Sequence, residues 1–240
     1  MNKKGIDWIS DIAGFDIYEE LEIKDRMSFK PGQLYSAPIK YPLTPPKVLQ
    51  LESYNPEREE STTFGISNYD PSNPLQEMPL KFLNLKSDDR LFILQGKKRP
   101  VIVLTCCDVD WLYNTSFKSG IKEQMVLCLP VFTFKDRHTQ EYIVKIQAFI
   151  FPNLFYLSPS SQGIFHESAA RFELIQPIHK GDMQPLKNVN NKPFRLSDNI
   201  LKLLYNQLSV FLSLTPLDEL LQHDLIAYRQ LVLEEFGWSN

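Results

Sequence analysis

The sequence predicts a mainly β chain with flanking helices: a compact antiparallel barrel, C-terminal helices and a long inserted loop. Three observations carry this reading. Short apolar runs recur from Leu91 onward (Leu91 to Leu94, Val101 to Cys107, Met125 to Phe134, Tyr142 to Phe151, Ala169 to Ile178), rich in branched and aromatic residues and separated by turn-forming stretches. Seven prolines crowd residues 42 to 80. From Ser197 the apolar spacing becomes helical.

In chain order, Ile6, Trp8, Ile9, Ile12, Phe15, Tyr18 and Leu21 fall at spacings near three and four, interrupted by Gly14, which predicts a broken N-terminal helix whose job is packing. Pro31-Gly32 punctuates the chain, and Gln33 to Ile39 reads as a short strand closing at Pro42. The prolines beyond it remove so many backbone donors that residues 42 to 80 are expected to be a loop excursion with no regular central strand or long helix, pinned in part by Phe64, Ile66 and Tyr69. Ser158 to Gly163 is a loop by composition. Ser197 is the expected N-cap of a helix with Ile200, Leu203, Leu204, Leu208, Phe211 and Leu212 on one stripe. Thr215-Pro216-Leu217-Asp218 then supplies a cap, a first-turn proline and an acid, opening a second helix with Leu217, Leu220, Leu221, Tyr228, Leu231 and Val232 inward. At 240 residues and 43% hydrophobic content the chain suits one elaborated domain. Its expected parts are an N-terminal helical extension (1–28), a barrel (29–213) with an insertion at 41–98, and a C-terminal helical extension (214–240).

Composition removes several function classes. No apolar run approaches the ~18 residues of a membrane span and Met1 to Phe15 is mixed polar and apolar, so a cytoplasmic protein is expected, with no membrane partner. Cys106, Cys107 and Cys128 form neither a disulfide framework nor a zinc spacing, and His138, His166, His179 and His223 are scattered, so no metal site and no cofactor are expected. Nine glycines include no phosphate loop and no nucleophile elbow, and there are no internal repeats. A net charge of −3 argues against a protein that coats nucleic acid non-specifically. The charge is uneven, however: eleven basic residues stand against seven acidic ones between Lys81 and Lys145, while residues 44 to 80 hold six acids against Lys47 and Arg58.

The strongest local feature is Lys97-Lys98-Arg99-Pro100-Val101-Ile102-Val103-Leu104-Thr105, three cations and a rigid proline feeding a core strand, which would hold an arginine at a fixed place on a surface. Around it stand Gly32-Gln33-Leu34-Tyr35 before, a strand ending in a threonine (Cys128-Leu129-Pro130-Val131-Phe132-Thr133) after, a strand near Ser168 to Ile178 carrying Glu173, and the helix Ser197 to Leu212. In this order the pieces resemble the PemK/MazF-like toxins of bacterial type II toxin-antitoxin systems, over roughly residues 29 to 40 and 97 to 213. The resemblance implies a small SH3-like, plasmid-toxin-like barrel. It also implies a two-fold homodimer whose groove receives single-stranded RNA, and a cognate antitoxin as partner.

Carried over by position, the resemblance assigns Arg99 and Thr133 as a catalytic pair for metal-free RNA cleavage. The 2′-hydroxyl attacks the neighbouring phosphorus, charge grows on the non-bridging oxygens, and the products carry a 2′,3′-cyclic phosphate and a 5′-hydroxyl. The planar fork of Arg99 suits two phosphate oxygens, and the Thr133 hydroxyl would hold the same phosphate in register. Lys97 and Lys98 would steer the RNA backbone, His166 and Glu167 lie on a loop that would reach substrate, and Tyr113 and Phe134 offer rings for base stacking, with core filling the stronger reading of Phe134. The family's loop between the first strand and the Arg-Pro strand is short and overhangs the RNA groove; here about 58 residues (41 to 98) stand in its place. Two other classes therefore stay open. One is a catalytically inactive barrel acting as a protein-interaction or binding module. The other is a gyrase-binding toxin, which would use an exposed C-terminal helical end with an aromatic such as Trp238.

Overall fold

The computed structural model describes residues 5–41, 45–53, 55, 62–70, 72, 91–106 and 125–238. The chain divides into two compact units, one of Met1–Pro38 with Lys98–Asn240 and one of Ile39–Lys97. About half of the proline-rich segment, Pro42 included, and Cys107 and Tyr113 lie outside the described residues.

The larger unit is built on antiparallel β structure with helices packed against it, as the apolar runs predict. Its main sheet joins β2 (Leu34–Lys40), β6 (Gly96–Cys106), β7 (Met125–Thr133), β8 (Leu154–Leu157), β9 (Ser168–Arg171), β10 (Gln176–His179) and β11 (Gln184–Pro185). The path runs β11-β2-β6-β7-β9-β8, with β10 also on β7, and among the described residues it is open rather than closed into a barrel. Strand β7 is the hub. It pairs with β6 on one edge (Val101↔Pro130, Ile102↔Leu129), and on the other with β10 at its start (Gln176↔Cys128) and β9 at its end (Val131↔Ala170). The run from Ala169 to Ile178 is thus two strands, broken by a 3₁₀ turn at Phe172–Leu174 that buries Phe172 and Leu174.

The other run read as a strand, Tyr142 to Phe151, is mostly helix. Helix α2 (Gln140–Gln147) is capped by Thr139, whose Oγ1 accepts from Tyr142 N at 3.2 Å, and it buries Ile143, Val144, Ile146 and Gln147 on one face. The cap and an i,i+4 pair, Lys145 to Glu141 at 2.6 Å, outweigh the β preference of its branched residues.

The N-terminal segment is less helical than its spacing implies. Helix α1 (Ile9–Ala13) stops after five residues at Gly14, which takes the left-handed conformation (φ 68). The chain then extends as β1 (Tyr18–Glu20), paired with β12 (Phe194–Leu196), and closes a 3₁₀ turn at Ile23–Met27. Trp8, Tyr18 and Leu34 sit in one apolar core with Phe155, Tyr156, Leu196 and the two C-terminal helices. Trp8 packs edge-on to Tyr156, with centroids 5.2 Å apart, and its Nε1 donates to the Gln147 carbonyl at 3.1 Å.

Helix α3 (Asp198–Phe211) begins at the Ser197 cap, and its inward residues include Ile200, Leu203 and Leu204, while Leu212 is left exposed. Helix α4 (Glu219–Glu235) starts later than the sequence suggests, because Asp218 is the cap: its Oδ1 accepts from Leu221 N at 2.9 Å. The inward face is therefore Leu225, Tyr228, Val232 and Leu233, and Leu217, Leu220 and Leu231 point to solvent.

The smaller unit corrects the expectation of a loop with no regular central strand. It holds a three-stranded antiparallel sheet in the order β4 (Thr63–Asn68), β3 (Lys47–Ser53), β5 (Phe92–Ile93), with Leu49 opposite Ile66. All seven prolines fall outside these strands, so none removes a ladder donor. Tyr69 packs edge-on to Phe92 at 5.3 Å, while Ile66 stays exposed.

Candidate functional site

Strand register decides what Arg99 faces. Val101 pairs with Pro130, so the same register carried two residues along β6 sets Arg99 across from Phe132. The arginine Cζ lies 5.1 Å from the centre of the Phe132 ring, in cation–π distance. A second guanidinium joins it from β9. Phe132 pairs with Ala169, and Arg171, two residues further along, places its Cζ 5.2 Å from the same ring. Arg171 is held in turn by Glu173, whose Oε1 accepts from its Nε at 2.7 Å and its Nη2 at 2.5 Å. The other carboxylate oxygen of Glu173 is buried with no hydrogen-bond partner among the described residues. Three strands therefore bring two arginines and one aromatic ring together, and the 3₁₀ turn after β9 adds a carboxylate beside Arg171.

Thr133 is not on that face. It is the next residue after Phe132, and side chains alternate along a strand, so it points to the other side of the sheet, where Val131 joins the helix-covered core. Its Oγ1 lies 3.5 Å from Ser168 Oγ, but that hydroxyl has one proton and gives it to the His166 carbonyl at 2.7 Å. Arg99 and Thr133 thus do not converge, and the side chain that stands with Arg99 is Phe132.

The remaining expected site residues divide. Lys97 and Lys98 are exposed on β6; alternation turns Lys98 away from Arg99, and its Nζ donates to Gln184 Oε1 at 2.6 Å. His166 is exposed on the loop before β9. Glu167 is buried and serves the fold: its Oε1 accepts from the Tyr156 hydroxyl at 2.5 Å and from Gly5 N at 3.1 Å. Burial, and then the Glu167 carboxylate, push the Tyr156 phenol well above its ordinary range, so it remains a donor to that carboxylate. Phe134 packs among Tyr156, His138 and Tyr142, as core filling implies. Trp238 stacks on Phe236 at 4.8 Å with the Lys145 ammonium 5.0 Å from its ring.

Sequence reasoning passed over Phe132 and Arg171 and used Glu173 only as a strand marker. The alternation Pro130-Val131-Phe132 against Ala169-Ala170-Arg171 held the signal, but only a known pairing makes it readable.

Chemically, the cluster presents planar cations beside an aromatic face. Guanidinium groups bind phosphate oxygens in pairs and stack on bases, and an arginine braced against a ring loses less freedom on binding. The Glu173 carboxylate holds Arg171 through one oxygen, while its second oxygen is buried. No protein-family model matches the chain, and no curated protein matches its sequence.

Proposed function

We propose that this protein is a divergent, enlarged PemK/MazF-like toxin: an endoribonuclease that cleaves single-stranded RNA without a metal at the face formed by Arg99, Phe132 and Arg171. The observation that supports this most is the pair of guanidiniums over the Phe132 ring, an arrangement suited to a phosphate next to a stacked base. In this reading Arg99 stabilises the charge that develops on the non-bridging oxygens, and Arg171 shares that role while orienting Glu173. The 2′-hydroxyl proton passes to water as the oxygen bonds to phosphorus. The P–O5′ bond breaks, and the departing 5′-oxygen takes a proton from water. The products carry a 2′,3′-cyclic phosphate and a 5′-hydroxyl. Thr133 has no part in this step, and Lys97 and His166 supply exposed positive and polar groups for the RNA backbone. The finer fold reading, an SH3-like barrel working as a homodimer with an acidic antitoxin, belongs to the same proposal.

A second reading has its own support. Thr133 and Glu167 are committed to the opposite side of the sheet and to the core, which suits a face that binds without cutting. A digest of single-stranded RNA in chelator separates the two. Cyclic-phosphate ends lost in Arg99→Ala favour the endoribonuclease, and retention of RNA without new ends favours the binding module. Cleavage that chelator abolishes and magnesium restores contradicts both.

A further inference from the structure

The end of the seven-stranded sheet at β11 carries a cavity of about 550 Å³ that has no part in the RNA reading. One wall is the 3₁₀ turn Ile23–Met27, whose i, i+3 and i+4 positions Ile23, Arg26 and Met27 all line the cavity. Ile23 and Met27, which both line the cavity, are 63% and 47% exposed. The turn is rigid because buried groups hold it. The amide of Gln33, fully buried, donates to the carbonyls of Asp25 and Arg26 at 3.2 and 3.1 Å and accepts from Ser28 Oγ and Lys30 N. The Tyr35 hydroxyl adds a 2.9 Å bond to the same Arg26 carbonyl. Thus the Gly-Gln-Leu-Tyr strand, conspicuous in the sequence, serves to fix Arg26 and its apolar neighbours in place.

The facing wall holds Pro185, Lys187 and Pro193. Two prolines leave it poor in backbone donors, so an extended peptide cannot add to the sheet there. Neither Arg26 nor Lys187 is ion-paired among the described residues; the nearby Asp25 carboxylate faces Lys30 at 3.5 Å. The volume falls in the range of small-molecule sites, which are mostly apolar with a few fixed polar groups.

We infer that this cavity binds a small anionic amphiphile, a carboxylate or phosphate monoester with an aliphatic tail. Its head lies at Arg26 and Lys187, and its tail runs along Ile23, Met27 and the two prolines. Titration calorimetry of the full chain with decanoate, decyl phosphate, decanol and inorganic phosphate tests this, with the Met27 methyl NMR signal as reporter of the site. Saturable binding of decanoate or decyl phosphate that shifts Met27 is expected, the tighter of the two identifying the head group. Decanol and inorganic phosphate bind at least roughly tenfold more weakly, because each lacks half of the recognition. The double variant Arg26→Gln/Lys187→Gln keeps the wild-type melting temperature and loses roughly tenfold or more in affinity for the anions. Three results overturn the inference: no saturable binding of either anion, equal binding by the folded double variant, or an acidic peptide that shifts Met27 and is not displaced by either amphiphile.

Discussion

The guanidinium of Arg99 sits over the ring of Phe132, with 5.1 Å between Cζ and ring centre, because β6 and β7 pair in the register that sets Val101 against Pro130. A ring on one side of a cation restricts it without neutralising it. Arg171 lies against the same ring, with its guanidinium held by the Glu173 carboxylate.

If RNA phosphate meets Arg99, removing the side chain removes counterion release as well as affinity. Arg99→Ala is expected to weaken single-stranded RNA binding and to flatten the log–log salt dependence by about 0.7, the slope carried by one phosphate contact on a single strand. Fluorescence anisotropy at several salt concentrations measures it. An unchanged slope places the phosphate elsewhere.

Phe132→Leu keeps an apolar side chain but removes the π face that braces both arginines. RNA affinity should fall by about 0.5–2 kcal/mol, the range of a cation–π or stacking contact, while the melting temperature changes little. Equal affinity in the variant means that the ring is only packing.

Glu167 tests the structural assignment of an expected site residue. Glu167→Ala leaves the Tyr156 hydroxyl and Gly5 N without their acceptor, costing about 1–3 kcal/mol. Hydrogen exchange should show loss of protection at Gly5 and Ile6, with RNA binding retained by the folded fraction. Wild-type stability combined with loss of RNA binding points instead to a role at the substrate.

Glu20 should make the β1–β12 clasp acid-sensitive. Hydrogen bonds from Lys192, Asn190 and Asn188 lower its carboxyl from an ordinary 4.5 to about 2. A folded value below the unfolded one means that the stabilisation is complete above about 4.5 and is lost as the pH falls toward 2. Melting temperature against pH for wild type and Glu20→Gln should differ most above that window and converge below it.

The register of α4 gives a stability contrast. Leu220 is 82% exposed and Leu225 is 3% exposed, so Leu220→Gln should stay within about 0.5 kcal/mol of wild type and Leu225→Ala should cost about 2–5 kcal/mol. Urea midpoints decide. The reverse order restores the face that the Thr215-Pro216 cap implies.

The elements legible in the sequence were those where local chemistry and burial agree. Gln33 to Ile39, the Arg-Pro strand and Met125 to Phe134 alternate or run apolar and became β2, β6 and β7, and Ser197 capped the helix it announces. Tyr142 to Phe151 misled because its branched residues favour strands, while the deciding signal, the Thr139 cap, lies outside the run. The proline count hid a hairpin because composition averages over positions, and the prolines sit beyond the strand ends. The site was half legible. Arg99 stood out, but which residue meets it depends on register, and register depends on long-range pairing. A one-residue slip of β7 would have turned Thr133 toward Arg99 and Phe132 into the core.

We propose that RNA is bound and cut, without metal, at the face of β7 that Arg99 shares with Phe132. The direct measurement is the yield of 2′,3′-cyclic phosphate ends from single-stranded RNA in chelator, for wild type, Arg99→Ala and Thr133→Val. Wild type and Thr133→Val are expected to yield these ends and Arg99→Ala none. Ends from Arg99→Ala at the wild-type yield, or loss confined to Thr133→Val, would contradict the proposal.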